Sequence, residues 1–95
     1  MNQVVWALQA IDDLRKIRAY LDETAPHLTR DTFQMIVRRV RQLRDFPDSG
    51  PRVGRTGLRK LSIAGLPYIL IYRSGSKGPE IVAVRHSSQN WLRDL

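Results

Sequence analysis

The sequence predicts an α+β fold in the order strand, helix, helix, strand, strand, strand, with an antiparallel sheet covered on one face by a helical hairpin. Three observations carry this expectation. Apolar residues recur at helical spacing through Ala7, Ala10, Ile11, Leu14, Ile17 and Leu21, and again through Phe33, Ile36, Val37, Val40 and Leu43. The later runs Tyr68-Ile69-Leu70-Ile71-Tyr72 and Glu80-Ile81-Val82-Ala83-Val84 are short and rich in β-branched and aromatic residues. Short turns link these runs to one another and to a strand before them, which implies an antiparallel meander, and the helical hairpin must cover one face of it to bury its own stripe. The opposite face is free to remain open.

The elements follow in order. Val4-Val5-Trp6 is a short apolar run read as the first strand. In the first helix Asp12 and Asp13 come early and Arg15, Lys16 and Arg18 later, the order that complements a helix dipole. Its start is poorly marked, because Ala7 cannot cap. The segment Glu23-Thr24-Ala25-Pro26-His27 ends that helix, since Pro26 disfavours helical geometry in the residue before it, and the second helix is expected from near Thr29. Opposite its apolar stripe fall Gln34, Arg38, Arg41 and Asp45. Trp6 and Tyr20 are expected in the core.

Between Phe46 and Gly57 runs a long connection rich in Pro and Gly, which neither a helix nor a central strand accommodates. Leu61 and Ile63 then alternate with Lys60 and Ser62, a strand with one wet face. Gly65-Leu66-Pro67 and Ser74-Gly75-Ser76-Lys77-Gly78-Pro79 make the two turns of the meander. A short tail, 87–95, follows the last strand.

Composition bounds what such a fold does. The 95 residues make one domain, 1–95, that buries only about two-thirds of the surface of its unfolded chain, so one continuous core has to carry it. No apolar run approaches the roughly 20 residues that span a bilayer, and a soluble, cytoplasmic protein with no membrane contact is the expectation. Cysteine is absent, which excludes disulfides, thiolate nucleophiles and cysteine-ligated zinc; His27 and His86 alone cannot form a metal site. Neither a metal nor a cofactor is expected. The net charge is +7, and from Arg30 to Lys60 nine basic residues face only Asp31, Asp45 and Asp48. Such a cluster attracts a polyanion or an acidic partner, and an arginine-rich one suits bidentate contacts to phosphate or carboxylate.

The last strand runs directly into Arg85-His86 and then Trp91. A strand terminus is held by its sheet while its side chains face solvent, which makes it a place to present chemistry or a gripping surface. Each candidate has a plainer reading. His86 is also explained as a strand-end imidazole bonded to a neighbour, Trp91 as an aromatic that packs the tail down, and Arg38, Arg39, Arg41 and Arg44 as the solvated face of an amphipathic helix. Gly50 and Gly54 in the Arg52–Arg55 loop match no phosphate-binding fingerprint.

Taken together, Trp6 before Ala10, Asp13-Leu14, Ile17, Tyr20-Leu21, Pro26, Leu43, Pro47, Gly50, Arg59-Lys60-Leu61, Pro67-Tyr68-Ile69, Tyr72, Val84-Arg85-His86 and Gln89-Asn90-Trp91 resemble a RelE/ParE toxin, in order and spacing over nearly the whole chain. The resemblance implies the toxin of a type II toxin–antitoxin pair, a compact RelE/ParE-like domain held in a hetero-oligomer by a cognate antitoxin. An antitoxin of this class lays an extended or helical segment across the toxin, along a groove between helices and sheet or an open strand edge.

The branches of the superfamily differ in target. RelE-like members cut messenger RNA on the ribosome, which requires a group to activate the ribose hydroxyl, a cation at the phosphate and an acid for the leaving oxygen. ParE-like members are associated with poisoning DNA gyrase. Active nucleases often carry Arg directly after the first Tyr of the strand that begins at Tyr68, where this chain has Ile69, and a Tyr near the end, where it has Trp91. The ParE-like reading, a gyrase inhibitor without catalytic residues, is therefore preferred. Its target- or partner-binding candidates are Arg38, Arg41, Arg52, Arg55, Arg59, Arg85, His86 and Trp91. The alternatives are a metal-independent, ribosome-dependent endoribonuclease using Arg59, Arg85 and His86, or a non-toxic relative that keeps antitoxin binding only.

Overall fold

A computed structural model describes residues 3–90, so Trp91, one of the expected binding residues, lies outside the described residues. The elements are β1 (Val5–Trp6), α1 (Leu8–Thr24), α2 (Pro26–Asp45), β2 (Arg59–Ser62), β3 (Tyr68–Gly75) and β4 (Gly78–His86), in the predicted order. The four strands form one sheet in the order β1-β4-β3-β2. The meander β2-β3-β4 is antiparallel as expected, whereas β1 lies parallel to β4, which makes the sheet mixed.

The start of α1 lacks a side-chain cap, as Ala7 predicts, and its backbone is satisfied in another way: the Ala7 N–H donates to Ile81 O at 2.9 Å. The strand pairing of β1 thus runs straight into the helix. Only Ala25 separates the two helices, and α2 begins at Pro26 rather than near Thr29. Proline interrupts a helix from within but is well placed at its first position, where its missing N–H would have had no partner and its φ is already helical. The Thr29 hydroxyl then donates to Asp22 Oδ1 at 2.7 Å, tying the two helices across the turn.

The buried seam of α2 is Thr32, Ile36, Val40 and Leu43. Phe33 and Val37 sit about 100° further round the helix, and Val37 is 46% exposed, so the stripe read from the sequence was one position too broad. Tyr20 is likewise not in the core: it is 62% exposed on α1, at the groove between helices and sheet, while Trp6 packs partly buried against the core as expected.

Ala10 of α1 and Ile36, Val40 and Leu43 of α2 meet Leu61, Leu70, Tyr72, Ile81 and Val84 of the sheet in the main core. Ile81 and Val84 are three residues apart and would point to opposite faces of a regular strand. They share a face because the register slips between Ile71, opposite Ala83, and Tyr72, opposite Ile81, leaving Val82 as an extra residue in β4. The second face of the sheet is not simply open. Ile69, Ile71 and Ala83 are buried there in a smaller apolar cluster, with Leu58 packed against them.

The connection from Phe46 to Leu58 is anchored rather than loose. The Tyr72 hydroxyl accepts from Gly50 N at 2.9 Å and donates to Pro47 O at 2.8 Å. A Cβ on Gly50 would lie 2.5 Å from Lys60 O and 2.8 Å from the Tyr72 ring, so only glycine lets the loop approach this closely.

Candidate functional site

The end of β4 and the start of β3 meet in register, Tyr68 opposite His86 and Ile69 opposite Arg85. The Tyr68 and His86 rings lie edge to face with centroids 5.9 Å apart. Burial, with a smaller contribution from Tyr20, pushes the Tyr68 phenol above its ordinary value of 10.0, so it is a neutral hydroxyl at physiological pH. His86 Nδ1 lies 3.1 Å from the Ser88 N–H, which donates to it, and 2.7 Å from Ser88 Oγ. The backbone N–H of His86 donates to Gln89 Oε1 at 2.9 Å, closing a turn immediately after the strand. His86 is thus both half-buried and engaged with its own turn.

Beneath this turn is a residue that the binding candidates omit. Asp13, on α1, is buried, and its Oδ2 accepts from Val84 N at 2.9 Å and from Arg85 Nη1 at 2.8 Å; its Oδ1 accepts from Gln9 Nε2 at 2.9 Å. β1 pairs only as far as Ile81, and past that point the carboxylate of α1 takes the place of a neighbouring strand. The buried N–H of Val84 would otherwise have no partner, a cost comparable to a lost hydrogen bond. The signal was in the spacing: Asp13 stands three residues after Ala10 and four before Ile17, on the buried side of α1, although its charge reads as dipole compensation.

These residues form one wall of a groove of about 1280 Å³ between the helical hairpin and the strand ends. Ile17, Leu21 and Leu28 contribute apolar surface from the helices, Leu66 and Tyr68 from the sheet side, and Lys16, Asp31, Arg85 and His86 its charged or titratable groups. Its size and mixed lining suit a peptide segment or an aromatic group of a partner.

The remaining candidates are distributed elsewhere. Arg38 and Arg41 line a separate cleft of about 790 Å³ on the helices, and Arg52 and Arg55 are exposed on the long loop. Arg59 is a loop clamp: its Nη1 donates to Gly50 O at 2.8 Å and to Asp48 O at 3.3 Å, and its Nη2 pairs with Asp48 Oδ1 at 3.5 Å. It stands opposite Tyr72, four residues along β3 from the Tyr68–His86 pair. That is roughly 13 Å along the strands and two strand spacings, about 9.5 Å, across them. The structure therefore brings Arg85 and His86 together but not Arg59, so the three residues of the nuclease alternative do not share one site. Among the described residues no cluster of His, Asp and Glu is arranged to hold a metal, and no helix is long and apolar enough to cross a membrane.

A two-helix hairpin on a mixed four-stranded sheet places the protein in the class of small α+β domains. The family described as ParE toxin of type II toxin-antitoxin system, parDE, matches residues 4–91, and the chain belongs to it. Among curated relatives it is 36% identical to Y4kP, a candidate toxin of Sinorhizobium fredii, over 99% of this chain and 97% of that protein. It is 29% identical to Toxin RelE2 of Caulobacter vibrioides over 94% of this chain and 99% of that one. A solved structure of a chromosomal ParDE system from P. aeruginosa shares the fold, with a TM-score of 0.80 at 22% identity, covering 90% of this chain and 96% of the other. The protein is thus a toxin of the ParE/RelE family, and that membership implies an antitoxin partner.

Proposed function

We propose that the protein arrests growth by binding DNA gyrase, without bond-breaking chemistry of its own, and that a cognate antitoxin holds it inactive in the cytoplasm. The observation that supports this reading is the state of the position facing Arg85 across the sheet. Ile69 is buried in the apolar cluster of the second sheet face, where metal-free RNA cleavage would call for a cation to meet the charge developing on phosphate. The adjacent guanidinium of Arg85 is 13% exposed and held by Asp13, so it is not presented to a substrate phosphate. Arg59 is equally committed, to the backbone of its own loop. On this reading the groove beside Tyr68, Arg85 and His86 grips a partner.

The deciding experiment adds purified toxin to gyrase and follows supercoiling and drug-free DNA cleavage. Inhibition of supercoiling or accumulation of cleaved complexes is expected, with loss of both on adding the antitoxin. Unchanged gyrase activity, with messages cut at codon-spaced positions in primer extension, would establish the ribonuclease alternative. Neither effect, together with normal growth on induction without the antitoxin, would identify a non-toxic antitoxin-binding relative.

A further inference from the structure

The turn that follows β4 depends on one lone pair. His86 Nδ1 lies 3.1 Å from Ser88 N and 2.7 Å from Ser88 Oγ. A backbone N–H can only donate, so Nδ1 is the bare nitrogen of a neutral imidazole and the ring proton sits on Nε2. The other bonds of the turn do not use the ring: His86 N donates to Gln89 Oε1 at 2.9 Å, Gln89 N to His86 O at 3.0 Å and Ser87 N to Pro67 O at 2.7 Å. His86, Ser88 and Gln89 all line the strand-end groove, so the turn is part of its wall.

Imidazole is the side chain that changes charge between about pH 5 and 8. Protonation places a hydrogen on both ring nitrogens and leaves no acceptor. The Ser88 hydroxyl can rotate and accept from Nδ1–H, but the Ser88 N–H has no such reversal and must leave the ring. The other titratable or charged groups facing this space are Asp13, Lys16 and Tyr20 from α1, Asp31 from α2, Tyr68 from β3 and Arg85 from β4. Asp13 is already committed to Arg85 and the Val84 N–H. Among the described residues no carboxylate pairs with His86, so no ion pair compensates for the lost bond.

We infer that the His86–Gln89 turn is a proton-sensitive latch on the groove, closed while the imidazole is neutral and released at Ser88 when it is protonated. The wall that a partner meets therefore differs between neutral and mildly acidic solution. The inference rests on the reading of this groove as the partner-gripping site, but the latch is measured on the toxin alone, so its failure and that of gyrase inhibition are separate results.

The test is nuclear magnetic resonance on the full chain, titrated from about pH 8 to about pH 5. Long-range proton–nitrogen spectra at the upper end should show His86 as the Nε2–H tautomer. The Ser88 amide resonance should then move with the same midpoint as the His86 ring, and its protection from exchange, relative to an unstructured chain, should fall about fivefold. In His86→Asn the side-chain oxygen stands where Nδ1 stood and does not titrate, so the Ser88 amide should stay fixed over the same range. His27→Gln removes the other, exposed histidine and should leave the transition as in the parent. An Nδ1–H tautomer at the upper end overturns the inference, as does a Ser88 amide that stays still while the His86 ring titrates. Persistence of the transition in His86→Asn overturns it too, and the tautomer measurement on the parent stands without any variant.

Discussion

Asp13 and Arg85 stand 72 positions apart in sequence and meet at 2.8 Å, joining the first helix to the end of the last strand. The carboxylate also holds the Val84 N–H, so it fastens both the backbone and the side chain of that strand end. Replacing Asp13 with Ala leaves a largely buried guanidinium without its counter-charge and an amide without its acceptor. We expect a loss of about 3–5 kcal/mol in urea unfolding. Asp13→Asn keeps an acceptor for Val84 and should cost less, while pairing Asp13→Leu with Arg85→Met should recover part of the loss.

Tyr72 and Gly50 form a second fastening, and it is sensitive from both sides. Gly50→Ala forces a methyl group against Lys60 O and the Tyr72 ring, with an expected cost of about 1–3 kcal/mol. Tyr72→Phe leaves the buried Gly50 N–H unpaired at a comparable cost, about 1–3 kcal/mol. Since each change disrupts the same contact, the double variant should lose less than the sum of the two, as measured in a denaturant double-mutant cycle.

Arg59 clamps the long loop against β2, so Arg59→Ala should release the loop before it unfolds the core. Amide exchange should accelerate at Val53 and Lys60, whose N–H groups bond to Leu58 O and Pro51 O, while Leu70 and Ile81 remain protected. The global loss should be about 1–2 kcal/mol.

The raised pKa of Tyr68 gives stability a defined dependence on alkaline pH. The folded state holds the phenolic proton above the ordinary value of 10.0, where the unfolded chain has released it, so folding binds the extra proton. The stabilisation is complete below the unfolded value and is lost as pH rises through the folded one. Stability followed by denaturant midpoint from pH 9 upward should therefore fall less steeply in Tyr68→Phe than in the parent.

The order of elements was legible because Pro, Gly and apolar spacing act locally. Pro67 and the Gly75-Ser76-Lys77-Gly78 run mark the meander wherever the chain goes in space, although the expected six-residue turn from Ser74 to Pro79 narrows to Ser76-Lys77 because the outer residues pair in the ladder. What sequence reasoning missed depends on partners distant in the chain. Pro26 reads equally as an end or a beginning, and the single-residue joint at Ala25 decides for a beginning. The extra residue at Val82 leaves no mark in a run of apolar side chains, yet it sets which of them face the helices. Asp13 reads locally as compensation of the helix dipole, because the strand edge it covers lies far along the chain. Arg59 was placed among binding residues for its charge, and the backbone carbonyls that absorb that charge come from a loop whose path local rules do not specify.

β4 lies between β1 and β3 and is the strand that α1 covers, so an interior position in the sheet belongs to the last of the described strands. During translation, β1 has no strand to pair with, and α1 no sheet to cover, until β4 leaves the ribosome. The helical hairpin can form early on its own local contacts, but the groove at the strand end is assembled only in a closing step with long sequence separation. Synthesis order thus separates the two halves of that groove in time, its helical wall being available before its strand wall exists.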